Sequence, residues 1–184
     1  MLSDRPEINF LGFERSVCAA FTGYRPYKFI TSFPQGEART SVADMLRPVI
    51  RELYEGGMRY FLSGMADGFD LWAASEVLAL RDSGDCPDVK VVAVVPYRGQ
   101  ARGYGVDAKL LYDYVMREAC RVEVLAERYY PECFHHRNAF MVNNASCVVC
   151  YYDGKSGGTR HTVRLAHRNG LRIINLCETQ LDLF

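Results

Sequence analysis

Apolar residues in this chain gather in short runs separated by longer amphipathic stretches. "SVCAAFTG" (16–23), "MRYFLSG" (58–64), "VKVVAVVPY" (89–97), "SCVVCYYD" (146–153) and "LRIINLC" (171–177) are too short for buried helices. Most are apolar on both faces, as strands inside a parallel sheet are. "CRVEVLAE" (120–127) alternates instead and reads as a strand with one wet face. The stretches between carry helical periodicity. In "SVADMLRPVIRELYEGG" Ser41 suits an N-cap, Met45, Val49, Ile50 and Leu53 share a face, Pro48 invites a kink, and Gly56 and Gly57 stop the helix. "DGFDLWAASEVLALRDSG" places Leu71, Ala74, Val77, Leu78 and Leu80 along one side. "VDAKLLYDYVMREA", "PECFHHRNAFMVNNA" and "GGTRHTVRLAHRNG" supply three more helices.

Strands alternate with helices from end to end. That order predicts an α/β fold with a doubly wound, mostly parallel sheet and helices on both faces. No linker or repeat divides it, so residues 17–184 read as one domain behind a loose N-terminal arm, residues 1–16. Tyr24 to Thr40, rich in Pro, Gly and aromatics, reads as a long loop, and loops of that length in a compact domain are often functional.

Composition narrows the picture little. The 184 residues carry 49% hydrophobic and 24% charged side chains, ordinary for a folded protein, and 22 basic residues balance 22 acidic ones. Net charge therefore does not favour a general nucleic-acid binder, although a local basic patch remains open. The seven cysteines are an odd number, and "MLSDRPEINFLGFERS" shows no basic segment followed by an apolar one, so a reducing cytoplasm is expected. No apolar run is long enough to span a bilayer, and no membrane role is expected. "CVVC" has redox-motif spacing, but in a strand Cys147 and Cys150 point to opposite faces and read as small buried residues. No second Cys pair and no His pair falls at zinc spacing, and no metal is expected.

Candidate chemistry collects where the strands stop. The first run is followed by "TGYRP", the second by "SGMADGFD", the third by "PYRGQ" and "SCVVCYY" by "DGKSGGT". Parallel topology brings these ends to one side of the sheet, where doubly wound folds bind ligands. "GKSGGT" lacks the lysine of a P-loop, but it puts Gly157, Gly158 and Thr159 at a helix N-terminus, whose free N–H groups and dipole suit phosphate. Thr159 has a hydroxyl to donate. Asp70, in the first turn of its helix, serves equally as a cap or a ligand contact. Trp72 reads as core rather than a base-stacking surface. Adjacent His135 and His136 face different sides of their helix, and His161 has no evident partner. Arg137 by itself reads as a surface residue.

Taken together, "FTGYRP", "LSGMADGFDLWAASEVLAL", "VVAVVPY", "RNAFMVNNASCVVCYYDGKSGGTRHTVRLA" and "GLRIINL" resemble the SLOG superfamily. This Rossmann-like group joins DprA/Smf proteins with the LOG phosphoribohydrolases, and the chain is most similar to its YpsA-like branch. The resemblance covers most of residues 17 to 176. It implies a nucleotide or nucleotide-derived ligand at the strand ends, with relatives of ADP-ribose or NAD among the candidates. It assigns Thr22, Gly23 and Arg25 to the first turn and Ser63, Gly64, Gly68 and Asp70 to the second. Pro96 ends the third strand, Arg137 and Asn138 form the "RN" pair, and Gly157, Gly158 and Thr159 form the phosphate turn. It also implies a homodimer.

Two departures bear on activity. LOG enzymes resemble this chain but carry a catalytic glutamate where Thr162 stands, so a binding or sensing role is favoured over N-glycosidic cleavage. Asp70, Glu76 or Asp153 would have to supply the missing carboxylate. DprA proteins carry flanking domains that this chain lacks room for. The basic residues Arg25, Lys28, Arg98, Arg102, Lys155 and Arg160 nevertheless fall largely in loops near the proposed site, which keeps single-stranded DNA as an alternative ligand.

Overall fold

The computed structural model describes residues 10–34 and 36–177. Six strands form one parallel sheet: β1 (Cys18–Thr22), β2 (Tyr60–Ser63), β3 (Lys90–Val95), β4 (Arg121–Val124), β5 (Cys147–Cys150) and β6 (Arg172–Asn175). Their spatial order is β4-β3-β2-β1-β5-β6. The helices are α1 (Ala38–Glu55), α2 (Phe69–Asp82), α3 (Val106–Glu118), α4 (Cys133–Asn143) and α5 (Gly158–Arg168). The chain steps outward from β1 to β4, then returns across the sheet to β5. Right-handed crossovers consequently place α1, α2 and α3 side by side in one layer, and α4 with α5 in the other. The reversal lies between β1 and β5, paired from Ala19 with Cys147 to Thr22 with Cys150. The fold is the doubly wound, Rossmann-like α/β architecture, and its switch point opens at the carboxyl ends of these two strands.

Burial follows strand position. Every residue of β1 and β5 is buried, whereas the edge strand β4 exposes Arg121 and Val122. Between sheet and helices lie Phe21, Phe61, Phe69, Leu46, Ile50, Leu62, Leu71 and Leu78, all fully buried. Cys147 and Cys150 belong to this core. Burial pushes their thiols up, to about 11 and about 12, so they are poor nucleophiles. Among the described residues no helix is long and apolar enough to cross a membrane, and no cluster of three or more His, Cys, Asp or Glu could hold a metal ion.

Three local expectations need correction. Helix α1 begins at Ala38, not after Ser41, because Ala38 and Arg39 are themselves good helix formers and extend the helix by a turn. Its buried face is Val42, Ala43, Leu46, Ile50 and Leu53; Met45 and Val49 are half-buried, and the helix runs through Pro48. The loop before it is therefore shorter, and it contains a 3-10 turn at Pro26–Lys28. Residues 10–16 of the expected loose arm pack on the body. Leu11 is buried, Phe13 stacks on Tyr60 at 3.8 Å, Arg121 Nη1 donates to the Leu11 carbonyl (2.8 Å), and Arg15 Nε donates to the Ala145 carbonyl (2.7 Å). Residues 1–9 lie outside the described residues.

Candidate functional site

A cleft of about 330 Å³ opens at the switch point. Thr22, Gly23 and Arg25 enter it from the end of β1, Asp70 from the first turn of α2, Arg137 and Asn138 from α4, and Gly158 and Thr159 from the start of α5. Segments distant in sequence thus converge because four loops share one end of a parallel sheet.

Arg137 is the centre of the arrangement. Its side chain is 6% exposed, yet its charge is only partly matched. Nη1 donates to the Gly64 carbonyl and lies 3.4 Å from Asp70 Oδ2, while Nε is buried without a partner. Burial draws both members of this pair toward neutrality, raising Asp70 and lowering Arg137 from their ordinary values; their mutual attraction opposes this. Asp70 is further held by the backbone N–H groups of Ala66 and Gly23, so its carboxylate is committed to joining β1, α2 and α4. Arg137 retains donor capacity. A planar guanidinium with free N–H groups beside a helix N-terminus is suited to an oxyanion.

Five expected site residues are outside the cleft lining. Ser63 Oγ donates to the Asp70 carbonyl (2.9 Å) and accepts the Met65 N–H (3.2 Å), fastening the end of β2 to α2. Gly64 leaves room for Arg137: a Cβ there would overlap the guanidinium and approach Asp70 Oδ2 to 2.7 Å. Gly68 has φ 96°, and a Cβ would come within 2.5 Å of the Tyr24 carbonyl. Gly157 precedes α5 beside Lys28. Pro96 is buried after β3, outside the lining.

Two threonines have hydroxyls that bond to backbone carbonyls. Thr159 lines the cleft, but its hydroxyl donates to the Gly23 carbonyl (3.0 Å), tying α5 to the turn after β1. Thr162 is 1% exposed and donates to the Gly158 carbonyl (3.1 Å), outside the lining. Of the other carboxylates considered, Glu76 pairs with Arg47 (2.9 Å), and Asp153 meets Tyr24 and Lys155 beyond the cleft. Trp72 packs against Phe29 at 5.3 Å beneath the loop after β1, so it supports that loop and is outside the cleft lining.

Sequence reasoning missed Tyr27, Phe134 and His135 in the lining, and it placed Lys28 only in the neighbourhood. Tyr27 is 65% exposed. An aromatic next to a lysine in "TGYRPYK" was the available signal. The partner that His161 lacked in sequence is His135, whose ring lies 4.5 Å away across the α4–α5 contact. Partial burial first, then His135 and Arg168, lower the His161 pKa below its ordinary value.

With this geometry in place, comparisons fix the family. The family model described as the YspA SLOG family matches residues 19–170. A UPF0398 protein of Bacillus thuringiensis (strain Al Hakam) is 27% identical over 157 residues, which is 82% of this chain and 83% of that one. A UPF0398 protein of Bacillus velezensis is 27% identical over 142 residues, 76% and 77% of the two chains. Among solved structures, DNA processing protein A from Streptococcus pneumoniae superposes with a TM-score of 0.60 at 20% identity, covering 91% of this chain and 53% of that one. The Helicobacter pylori DNA processing protein A, described for its single-stranded DNA binding mode, gives 0.59 at 16% identity, covering 88% and 65%. The chain thus spans about half to two thirds of these two proteins, and at such identities they show a shared fold. The matched family model extends over most of the chain, from β1 past the end of α5, and the protein belongs to the YspA SLOG family.

Proposed function

We propose that the cleft binds the phosphate end of a nucleotide or nucleotide derivative, as a binding or sensing site. The observation that carries this is Arg137: a guanidinium only 6% exposed, with an unpartnered Nε, lining the same cleft as the open N-terminus of α5. Arg25 and Lys28 add positive charge to the wall, and Asp70 is the carboxylate in it. The balance favours an anion. Tyr27 and Phe134 offer aromatic surface for a base.

The same geometry argues against N-glycosidic cleavage of the LOG type. That chemistry needs a carboxylate facing the sugar. Thr162 is turned to the helix backbone, and Asp70 is consumed by Arg137 and two N–H groups.

Thermal unfolding in the presence of AMP, ADP, ADP-ribose and NAD tests the proposal. A ligand at a hundred times its Kd should raise the Tm by about 5–10 °C. Arg137→Lys, which keeps the charge but loses the planar fork, should reduce the shift. No shift with any of the four compounds would refute the reading.

A second reading, single-stranded DNA, has one observation in its favour. Another cleft, at the ends of β3 and β4, gathers Arg98, Arg102 and Arg128 with Tyr97 and Tyr129, the basic and aromatic mixture that tracks a strand. Arg98 is already paired with Glu127 at 2.8 and 2.9 Å, which weakens it. Binding of oligodeoxythymidylate that tightens with length and falls steeply with salt would support this reading over the first.

A further inference from the structure

The switch-point cleft continues past its own rim. A second cleft of about 500 Å³ opens beside it, and Tyr24, Tyr27 and Lys28 line both. The rest of its wall comes from Thr31 and from the loop between β5 and α5, chiefly Asp153 and Lys155. Lys28 stands at the junction: a Cβ added to Gly157 would lie 3.0 Å from its Nζ. Positive charge therefore sits between two concave surfaces, not at the end of one. Each cleft falls in the size range of small-ligand sites, roughly 300–1,000 Å³, and one nucleoside phosphate needs only one of them.

We propose that the two clefts form a single site for a two-part ligand, in which two nucleoside-like or sugar-like halves are joined by a diphosphate bridge. The inference rests on the reading that the first cleft holds a nucleotide. The bridge lies along Lys28 and the N-terminus of α5. The second half lies against the exposed ring of Tyr27, with its hydroxyls toward Asp153.

Asp153 is equipped for that part. Of the two carboxylates lining the clefts, Asp70 is committed to Arg137, whereas Asp153 faces ligand space. It is held in place from behind: Tyr24 Oη donates to Oδ1, and the Lys155 N–H reaches the same oxygen at 3.1 Å. Oδ2 meets Lys155 Nζ at 2.8 Å, but the lysine side chain is 73% exposed, so that pairing exchanges readily for a ligand hydroxyl. A fixed carboxylate accepting from vicinal hydroxyls is a common way to recognise ribose.

Titration calorimetry of the full chain with ADP, ADP-ribose and NAD decides the matter, because the three share the diphosphate and differ in the second half. ADP-ribose or NAD should bind about tenfold tighter than ADP. Asp153→Asn should remove most of that advantage while changing ADP affinity less than about twofold, whereas the exposed Lys155→Ala, which frees Oδ2, should preserve it. Equal affinity for all three compounds, or an Asp153→Asn variant that weakens ADP as much as its extended relatives, would overturn the two-part site and leave the nucleotide cleft standing. Failure of all three to bind would overturn both.

Discussion

The two sides of the switch point are built for different purposes. On the β2 side, "SGMADGFD" has its polar groups spent. Ser63 bonds to the backbone on both sides of the turn, Gly64 makes room for a guanidinium, and Asp70 holds Arg137 and two N–H groups. On the β1 and β5 side, Arg25, Lys28, Gly158 and the rest of Arg137 face an open cleft. A glycine-rich turn at a strand end is thus taken up mainly by internal contacts, although its Ala66 and Asp70 reach the cleft lining. The first side positions, and the second is left with capacity to bind.

That contrast makes separable predictions. Substitutions on the β2 side should cost stability first. The largest effect belongs to Gly64→Ala, whose methyl would displace Arg137 from its carbonyl and from Asp70. Overpacking together with disruption of a buried pair should cost about 3 kcal/mol, a fall in Tm of about 6–12 °C. Thermal unfolding of the ligand-free protein measures it, and an unchanged Tm would break the contrast. Ser63→Ala comes next. It strands the Met65 N–H in the interior and removes the tie from β2 to the Asp70 carbonyl, for about 1–2 kcal/mol and about 3–6 °C.

The smallest effect lies at the rim, in the His135–His161 contact. The His161 pKa is lowered in the folded protein, so the folded state binds its proton less readily than the unfolded chain does. Its contribution to stability is therefore present above its ordinary pKa, about 6.5, and is lost as pH falls below that value. Ligand affinity should move the other way, because a bound phosphate favours the protonated ring. Melting temperature and affinity followed from pH 7.5 to 5.5 should diverge in the wild type and do so less in His161→Gln; parallel trends would place His161 away from the ligand.

How much of this was legible in the sequence depended on the range of the interaction responsible. Runs such as "VKVVAVVPY" announced strands because burial on both faces demands unbroken apolarity. The start of α1 was misplaced because Ser41 offers cap chemistry while Ala38 continues the helix equally well. Arg137 looked like a surface residue to periodicity, and only the resemblance lifted it, since its burial depends on Gly64 and Asp70 some seventy residues earlier. Tyr27 was marked only by its place beside Lys28, and the His135–His161 contact was invisible for a related reason: the fold of one loop and the packing of two helices create them.

Gly158 is where a phosphate site stands or falls. This residue opens α5 and lines the cleft, and nothing lies within 4 Å of where a Cβ would stand, so an aspartate fits there. A carboxylate in the first turn suits the helix dipole and repels a phosphate. Titration of Gly158→Asp with ADP, beside thermal unfolding without ligand, separates the two effects. The prediction is an affinity lowered about 30-fold or more with the ligand-free Tm unchanged or raised; wild-type affinity in this variant would contradict a phosphate site at the start of α5.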